Sequence, residues 1–154
     1  MIQATLCILI KDKEVLLAMK KKGFGQGKWN GVGGKFDTEK GDKDIIDTAV
    51  RETKEEIGVD VKNLEKMAVL SFYFPYKKEW NQDVHVFLVK EWQGEPSESE
   101  EMFPKWFKAD KVPFNEMWDD DKLWLPHVLE GRKIKADFTF KQGEIIDKHD
   151  IKII

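Results

Sequence analysis

The sequence has a single cysteine, Cys7, which lies within an apolar run. A disulfide within the chain is therefore excluded, and a buried free thiol is the simplest interpretation. No window approaches the roughly eighteen apolar residues of a membrane-spanning helix, and no basic segment followed by a long apolar stretch marks the N-terminus. We therefore expect a cytoplasmic protein without a signal peptide and without a membrane contact.

An excess of positive charge is also missing, since 26 Lys and Arg residues stand against 29 Asp and Glu residues, a net charge of -3. Proteins that bind polymeric nucleic acid neutralise many phosphates with Lys and Arg, so we expect no such partner and at most a small nucleotide. Linkers, repeats and low-complexity tracts are absent. The 154 residues, 41% of them hydrophobic, predict one domain spanning residues 1–154, with a monomer as the default.

Short apolar or alternating runs dominate what is present. They predict strands at 4–10, 15–19, 67–74, 84–90, 103–108, 136–140 and 144–153, the first two forming a hairpin. Helical spacing predicts helices at 44–57 and about 120–130, followed by Gly58 and Gly131, which suit a left-handed C-terminal cap. The acidic stretch 95–101 is expected to be a loop. The fold class is α+β, with two main helices against a mixed or antiparallel sheet.

Three glutamates crowd the first predicted helix: Glu52, Glu55 and Glu56. At 100° per residue they fall within an arc of about 100° beside the apolar face, so they should converge. Like charges at i and i+4 cost about 0.2–0.5 kcal/mol, whereas a divalent cation such as Mg²⁺ would make the cluster favourable. A solvated helix face with Arg51 and Lys54 as partners is the alternative, and the spacing alone does not separate the two.

Glycine is concentrated just before this helix. Six of the 11 glycines fall between residues 23 and 34: Gly23, Gly25, Gly27, Gly31, Gly33 and Gly34. Glycine allows the backbone to approach a ligand closely. The loop contains neither the Gly-Lys-Ser/Thr of a P-loop nor a G-x-G-x-x-G fingerprint, and a flexible surface loop is the alternative.

The segment Arg51-Glu52-Thr53-Lys54-Glu55-Glu56-Ile57-Gly58-Val59 resembles the signature of the Nudix hydrolases, Arg-Glu-aliphatic-x-Glu-Glu-x-Gly-aliphatic. The segments 19–35, 83–87, 106–126 and the terminal FTFKQGEIID resemble the oxidised purine nucleoside triphosphatases of that family. Two departures stand out. Lys40 and Lys43 occupy the positions at which the signature counts place a glutamate, in a loop longer than usual, and Thr53 takes an aliphatic position.

The resemblance implies a Nudix fold, in which a mixed or antiparallel sheet is sandwiched by two main helices. It also implies Mg²⁺-dependent hydrolysis, with Mn²⁺ able to substitute, of oxidised purine nucleoside triphosphates such as 8-oxo-dGTP and 2-oxo-dATP to the monophosphate and pyrophosphate. The implied metal ligands are the Gly33 carbonyl, Glu52, Glu55, Glu56 and Glu101. Glu101 is a further ligand or base, and Arg51 is expected to orient the glutamates through Glu55.

The resemblance also implies a purine pocket. Its expected lining residues are Thr5, Phe24, Asn30, Phe72, Phe74, Met102, Trp118, Asp120 and Asp121, with Lys20 near the phosphates. Trp118 offers a stacking face, and two close aspartates titrate as a pair, so one can hold a proton and donate.

Several of these assignments have an alternative. Phe72 and Phe74 alternate as core residues of a strand do, and Asp119, Asp120 or Asp121 could cap a helix. For the whole protein, the alternatives are a Nudix hydrolase of another nucleoside diphosphate derivative, such as ADP-ribose, or a nucleotide-binding sensor that has lost catalysis.

Overall fold

The structure, a computed structural model, describes residues 1–154 as ten strands, two α-helices and three single-turn 3-10 helices. The elements are β1 (Ile2–Lys11), β2 (Glu14–Lys20), β3 (Trp29–Asn30), α1 (Ile45–Ile57), β4 (Asp60–Lys62), β5 (Glu65–Tyr73), β6 (Gln82–Val89), β7 (Glu91–Gln93), β8 (Met102–Lys108), α2 (Asp121–Leu129), β9 (Ile134–Lys141) and β10 (Ile145–Ile153). The 3-10 helices are Thr38–Lys40, Lys78–Trp80 and Phe114–Glu116. Every predicted strand and helix is present within two residues at each end, and 95–101 is a loop. The strands β3, β4 and β7 were not predicted.

The central sheet is mixed and runs in the order β10, β9, β5, β6, β1. The pairs β1–β6 and β5–β9 are parallel, whereas β5–β6 and β9–β10 are antiparallel. The predicted hairpin of β1 and β2 pairs only next to its turn, and β2 also pairs with β3 and β8. Loop residues 31–35 take the free edge of β1, through the bridges Cys7 to Val32 and Ala4 to Lys35. The glycine-rich loop is therefore held against the sheet.

The two helices cover opposite faces of this sheet. Successive side chains of a strand point to opposite sides, so neighbouring residues of β1 pack toward different helices. In β1, Leu6 and Ile8 belong to the core that contains Trp124 of α2, while Cys7 belongs to the core that contains Ala49 of α1. Cys7 is fully buried, as expected, and burial is the main reason that its thiol pKa rises to about 12. The sheet therefore lies between the helices.

The ends of the helices follow local sequence signals. The side chain of Asp44 caps α1 by accepting a hydrogen bond from the Asp47 N–H, and Gly58 ends it with a φ of 76°. One apolar residue of α1 departs from the helical spacing that predicts this helix: the spacing places Ile46 on the apolar face, but Ile46 is 48% exposed. Neither helix has the length and apolar character needed to cross a membrane.

Candidate active site

A cleft of about 430 Å³ opens between the first half of β1, the glycine-rich loop and the start of α2. All of the residues predicted to bind substrate line it, together with Gly33 and Glu56: Thr5, Lys20, Phe24, Asn30, Phe72, Phe74, Met102, Trp118, Asp120 and Asp121. The remaining predicted residues, Arg51, Glu52, Glu55 and Glu101, are not among its lining residues. The structure therefore brings the predicted pocket together around one end of the glutamate cluster.

Two buried aspartates form the deep end of the cleft. The indole N–H of Trp124 donates to Asp120 Oδ2 at 2.7 Å and to Asp121 Oδ1 at 3.1 Å, and Asp121 Oδ2 has no partner. Burial is the largest cause that raises the pKa of Asp120 to about 6 and that of Asp121 well above its usual value. The pair therefore holds a proton to higher pH than free aspartates do, and a protonated carboxyl can donate to a ligand.

The alternative role of these aspartates, helix capping, does not occur. Asp120 occupies the N-cap position of α2, but its side chain makes no capping hydrogen bond. Asp119 lies outside the cleft lining, where its carboxylate accepts from the Ile146 N–H at 2.9 Å and from Lys122 at 2.9 Å. The Asp119 carboxylate is thus bound to other protein groups, whereas Asp120 and Asp121 line the cleft.

Aromatic rings build the walls of the cleft. Phe24, half-exposed on the glycine-rich loop, lies 5.0 Å from the Trp118 ring at an angle of 30°. Phe72 and Phe74 stack on the core rings Phe138 and Phe140 at 5.5 and 5.2 Å. These two phenylalanines pack in the core and also line the cleft, so the two interpretations of their alternation are compatible.

A polar edge completes this wall at Asn30. Its side-chain oxygen accepts from the Gly31 N–H at 2.9 Å, which fixes the amide while leaving its NH₂ group without a protein partner. Such a group is suited to the edge of a base.

Gly33 and Gly34 lie where the loop backbone is too close to neighbouring atoms to leave room for a side chain. A Cβ added to Gly33 would lie 2.6 Å from the Thr5 carbonyl carbon, and one added to Gly34 would lie 2.6 Å from both carboxylate oxygens of Glu52. Thr5 N–H donates to the Gly34 carbonyl at 2.9 Å and holds the loop in this position. The flexible-loop interpretation therefore fails for this part of the loop, which brings backbone against a carboxylate.

Glu56 links the cleft to the glutamate cluster. Its side chain is 4% exposed, and Oε2 has no hydrogen-bond partner. Burial raises the pKa of Glu56 to about 8; Lys20 opposes this shift, while Glu52, Glu101 and Glu55 add to it. A buried carboxylate among other carboxylates is a site that a cation would stabilise.

The three glutamates of α1 do not all point to one spot, contrary to the prediction, because Glu56 is buried, Glu52 is partly buried and Glu55 is exposed. Arg51 donates to Glu52 at 2.8 Å and to Glu55 at 3.3 Å, and Glu55 and Glu101 are exposed to solvent. No three His, Cys, Asp or Glu side chains lie close enough together to hold one metal ion. The donor set nevertheless fits a hard divalent cation, because carboxylate oxygens are its preferred ligands and Glu56 Oε2 is unpartnered.

Asp42 is the residue that the sequence analysis missed. It is buried and accepts from Arg51 Nε at 2.8 Å, from Arg51 Nη2 at 2.7 Å and from the Thr48 hydroxyl at 2.8 Å. The Arg51 hydrogen bonds are the largest cause that holds the pKa of Asp42 well below its usual range. The expected main partner of Arg51 was Glu55, whereas Asp42 is the closer one. Asp42 lies between Lys40 and Lys43, so relaxing the signature count by one or two residues would have found it.

The cleft is also lined by residues that were not among the predicted site residues, including Lys28, Glu79 and Trp80. Lys28 Nζ lies 5.4 Å from the Trp118 ring centroid, and Trp80 lies 5.0 Å from Phe24. They come from different segments that the fold brings together, and no local pattern predicts their position.

The comparison with known proteins decides the family, because the NUDIX domain model matches residues 1–128. The chain belongs to the NUDIX family. It is 43% identical over 147 residues to the oxidized purine nucleoside triphosphate hydrolase of Danio rerio, which covers 96% of this chain and 92% of that protein. The protein of the same name from Mus musculus is 41% identical over 148 residues, with the same coverage of 96% and 92%.

Solved structures agree with the Nudix assignment. The MutT protein of Bacillus halodurans superposes with a TM-score of 0.86 at 28% identity, over 99% of this chain and 98% of that one. This likeness confirms the predicted α+β architecture of a mixed sheet with two helices. Nudix hydrolases generally use divalent metal ions, which agrees with the carboxylate donors present here.

Proposed function

We propose that this Nudix hydrolase converts oxidised purine nucleoside triphosphates, such as 8-oxo-dGTP and 2-oxo-dATP, to the monophosphate and pyrophosphate, and so removes damaged nucleotides from the pool. The observation that most directly supports this proposal is that one cleft joins a buried carboxyl pair, Asp120 and Asp121, to the unpartnered carboxyl oxygen of Glu56. The names of the relatives from Danio rerio and Mus musculus support the same substrate class.

Base recognition is assigned to the deep end of the cleft. Trp118 stacks on the base, an interaction worth about 1–3 kcal/mol on comparable aromatic platforms. Asp120 and Asp121 present a donor and an acceptor to the base edge, because one of them holds a proton. A proton that exchanges between them allows the same pocket to read oxidised guanine and oxidised adenine.

The phosphates are assigned to the glutamate end. Glu52, Glu55, Glu56, Glu101 and the Gly33 carbonyl would hold Mg²⁺, with Mn²⁺ able to substitute. Such an ion, when bound, neutralises charge on phosphoryl oxygens and makes water more acidic. Lys20, whose charge acts on Glu56 and which lines the cleft, contacts a phosphate oxygen. Arg51 holds Glu52 in place, and a carboxylate of this group accepts the proton of the attacking water.

The remaining expectations stay predictions. A cytoplasmic location is favoured by the free buried thiol of Cys7. A monomer remains the expected oligomeric state. The sensor alternative was motivated by the lengthened loop and the missing signature glutamate. Asp42 supplies a carboxylate for Arg51 from that loop, which weakens this motive.

A product assay tests the proposal. The protein is incubated with 8-oxo-dGTP, 2-oxo-dATP, dGTP and ADP-ribose in Mg²⁺, and products are separated by ion-exchange chromatography so that pyrophosphate is distinguished from single phosphate. We expect monophosphate and pyrophosphate from the oxidised nucleotides, and no product after EDTA treatment. Preferential cleavage of ADP-ribose would replace the proposed substrate, and binding without any product would favour a sensor.

A further inference from the structure

The loop at 94–101 reaches both ends of the site, because it carries Glu101 and leads directly into Met102, which lines the cleft. One side chain organises this junction. The Ser99 hydroxyl accepts from the Glu101 N–H at 3.3 Å and from the Met102 N–H at 3.2 Å, while the Ser99 N–H donates to the Met102 carbonyl at 3.0 Å. The turn before β8 is thus closed around Ser99.

Lys21 fastens this turn to the end of β2. Its ammonium donates to the Ser99 carbonyl at 2.7 Å and pairs with Glu98, and its backbone N–H donates to the Glu101 carbonyl at 2.8 Å. Lys20, the preceding residue, lines the cleft and pairs in register with Met102. Neighbouring lysines therefore serve different purposes: Lys20 belongs to the site, and Lys21 holds the loop that completes it.

The far side of the loop is also attached. The Ser97 N–H donates to the Ile57 carbonyl at 2.9 Å, at the end of the helix that carries Glu56. The loop consequently spans from α1 to β2. A change in the side chain of Ser99 or Lys21 would loosen the turn that leads to Glu101 and Met102, while the backbone hydrogen bonds of this turn and of Ser97 remain.

We infer that Ser99 and Lys21 are positioning residues that set the placement of Glu101 beside the other carboxylates and of Met102 against the base. This inference rests on the proposed function, in which Glu101 is a metal ligand. A purely structural role would lower stability without a specific effect on metal binding. The two roles are therefore separable by experiment.

The variants are Ser99→Ala, Lys21→Met and the conservative Ser99→Thr, with Lys22→Met as the matched control. Lys22 lies 4.0 Å from Glu100, and both side chains are largely exposed, so this pair should contribute little. Mn²⁺ binding to the nucleotide-free protein is measured by the EPR signal of free Mn²⁺, and hydrogen exchange is measured for the Glu101 and Met102 amides. KM and kcat for 8-oxo-dGTP are measured in parallel.

We expect Ser99→Ala and Lys21→Met to weaken Mn²⁺ binding by about tenfold, as loss of groups that orient metal ligands does. Their Glu101 and Met102 amides should exchange faster, and KM for 8-oxo-dGTP should rise because Met102 is no longer held against the base. Ser99→Thr should restore Mn²⁺ affinity, and Lys22→Met should match the wild type. In a Glu101→Gln background, Ser99→Ala should have no further effect on Mn²⁺ affinity, because its action passes through Glu101.

Unchanged Mn²⁺ affinity in both Ser99→Ala and Lys21→Met would overturn the inference. So would a loss of Mn²⁺ affinity caused by Ser99→Ala that is as large in the Glu101→Gln background as in the wild type. A wild-type protein that binds Mn²⁺ but cleaves no oxidised nucleotide would refute the proposed function alone, since the Mn²⁺ cycle still reports on Ser99. If Ser99→Ala does not fold, Lys21→Met provides the same comparison.

Discussion

Asp42 and Arg51 form a two-pronged ion pair, with Nε 2.8 Å from one carboxylate oxygen and Nη2 2.7 Å from the other. The same guanidinium donates to Glu52 at 2.8 Å. Asp42 also closes its own loop by accepting from the Asp37 N–H at 3.0 Å. The loop before α1 and the carboxylates on α1 are therefore connected through one arginine.

Replacing Asp42 by Asn should destabilise the protein by about 3 kcal/mol, since removal of one partner leaves the other charge of a buried pair uncompensated. Turnover should fall as well, because Arg51 no longer holds Glu52. Urea unfolding and steady-state kinetics measure the two effects. Asp60→Asn is the control: it removes an exposed 3.2 Å pair with Lys54 and should cost less than about 1 kcal/mol. Equal losses in the two variants would contradict this account.

The same pair predicts an acid dependence of stability. Arg51 holds the folded-state pKa of Asp42 below its unfolded value of about 3.9, so the stabilisation is complete above that value and disappears as the pH falls through the folded-state pKa. The difference in unfolding free energy between wild type and Asp42→Asn should thus be largest near neutral pH and shrink below about pH 4. Urea titrations from pH 6 down to pH 3 check this, and a gap that does not vary with pH would argue against it.

The long strands and helices are predictable from the sequence, because their apolar residues repeat with a recognisable period. The strands β3, β4 and β7 were not predicted, because two or three residues are too few for an alternation of side chains to appear. The predicted hairpin of β1 and β2 is only partly formed, because loop residues 31–35 occupy the edge of β1, which the sequence does not show.

For the site, the glutamate cluster and the glycine loop were visible in the sequence, yet spacing alone left a metal site and a solvated face open. The resemblance supplied the residues of the pocket. Asp42 was missed because a rigid count fails in a loop of different length, and Trp80 because its place beside Phe24 depends on distant segments meeting. Burial, which isolates Glu56 from partners, is likewise a property of packing and not of spacing.

Asp120→Asn should change nucleotide preference far more than stability. A permanently neutral amide replaces a carboxyl that shares protons with Asp121, so the ratio of kcat/KM for 8-oxo-dGTP and 2-oxo-dATP should shift by about tenfold or more, equivalent to one strong hydrogen bond of about 1.4 kcal/mol. Asp119→Asn, outside the cleft, should leave the ratio unchanged. An unaltered ratio in Asp120→Asn would count decisively against base readout by this residue.

The same substitution carries a pH signature in stability. Burial raises the folded-state pKa of Asp120 to about 6, so the wild type loses stability as the pH rises from the unfolded value through pH 6. Asn at this position does not ionise. The unfolding free energy of Asp120→Asn minus that of wild type, measured by urea unfolding, should therefore be more positive at pH 8 than at pH 4.

Glu56→Gln should fold and lose nearly all turnover, by at least about a hundredfold, because a carboxyl that can ionise beside a bound cation is replaced by an amide that cannot ionise. Far-ultraviolet circular dichroism and the pyrophosphate assay measure the two properties on one preparation. Since Glu56 Oε2 lacks any partner in the folded protein, its loss removes no internal hydrogen bond. Pyrophosphate release at the wild-type rate would remove Glu56 from the mechanism.

Gly34→Ala tests the contact between loop and carboxylate. The added Cβ would lie 2.6 Å from both carboxylate oxygens of Glu52, so Glu52 must move away from its place beside Arg51. We expect weaker Mn²⁺ binding and lower kcat, measured by EPR and by product release. Gly27→Ala is the control, since nothing lies within 4 Å of its added Cβ but its φ of 83° strains any side chain. That variant should lose about 1 kcal/mol of stability and keep its Mn²⁺ affinity. If the two variants weakened Mn²⁺ binding equally, general loop strain would account for the effect, and the specific approach of Gly34 to Glu52 would not.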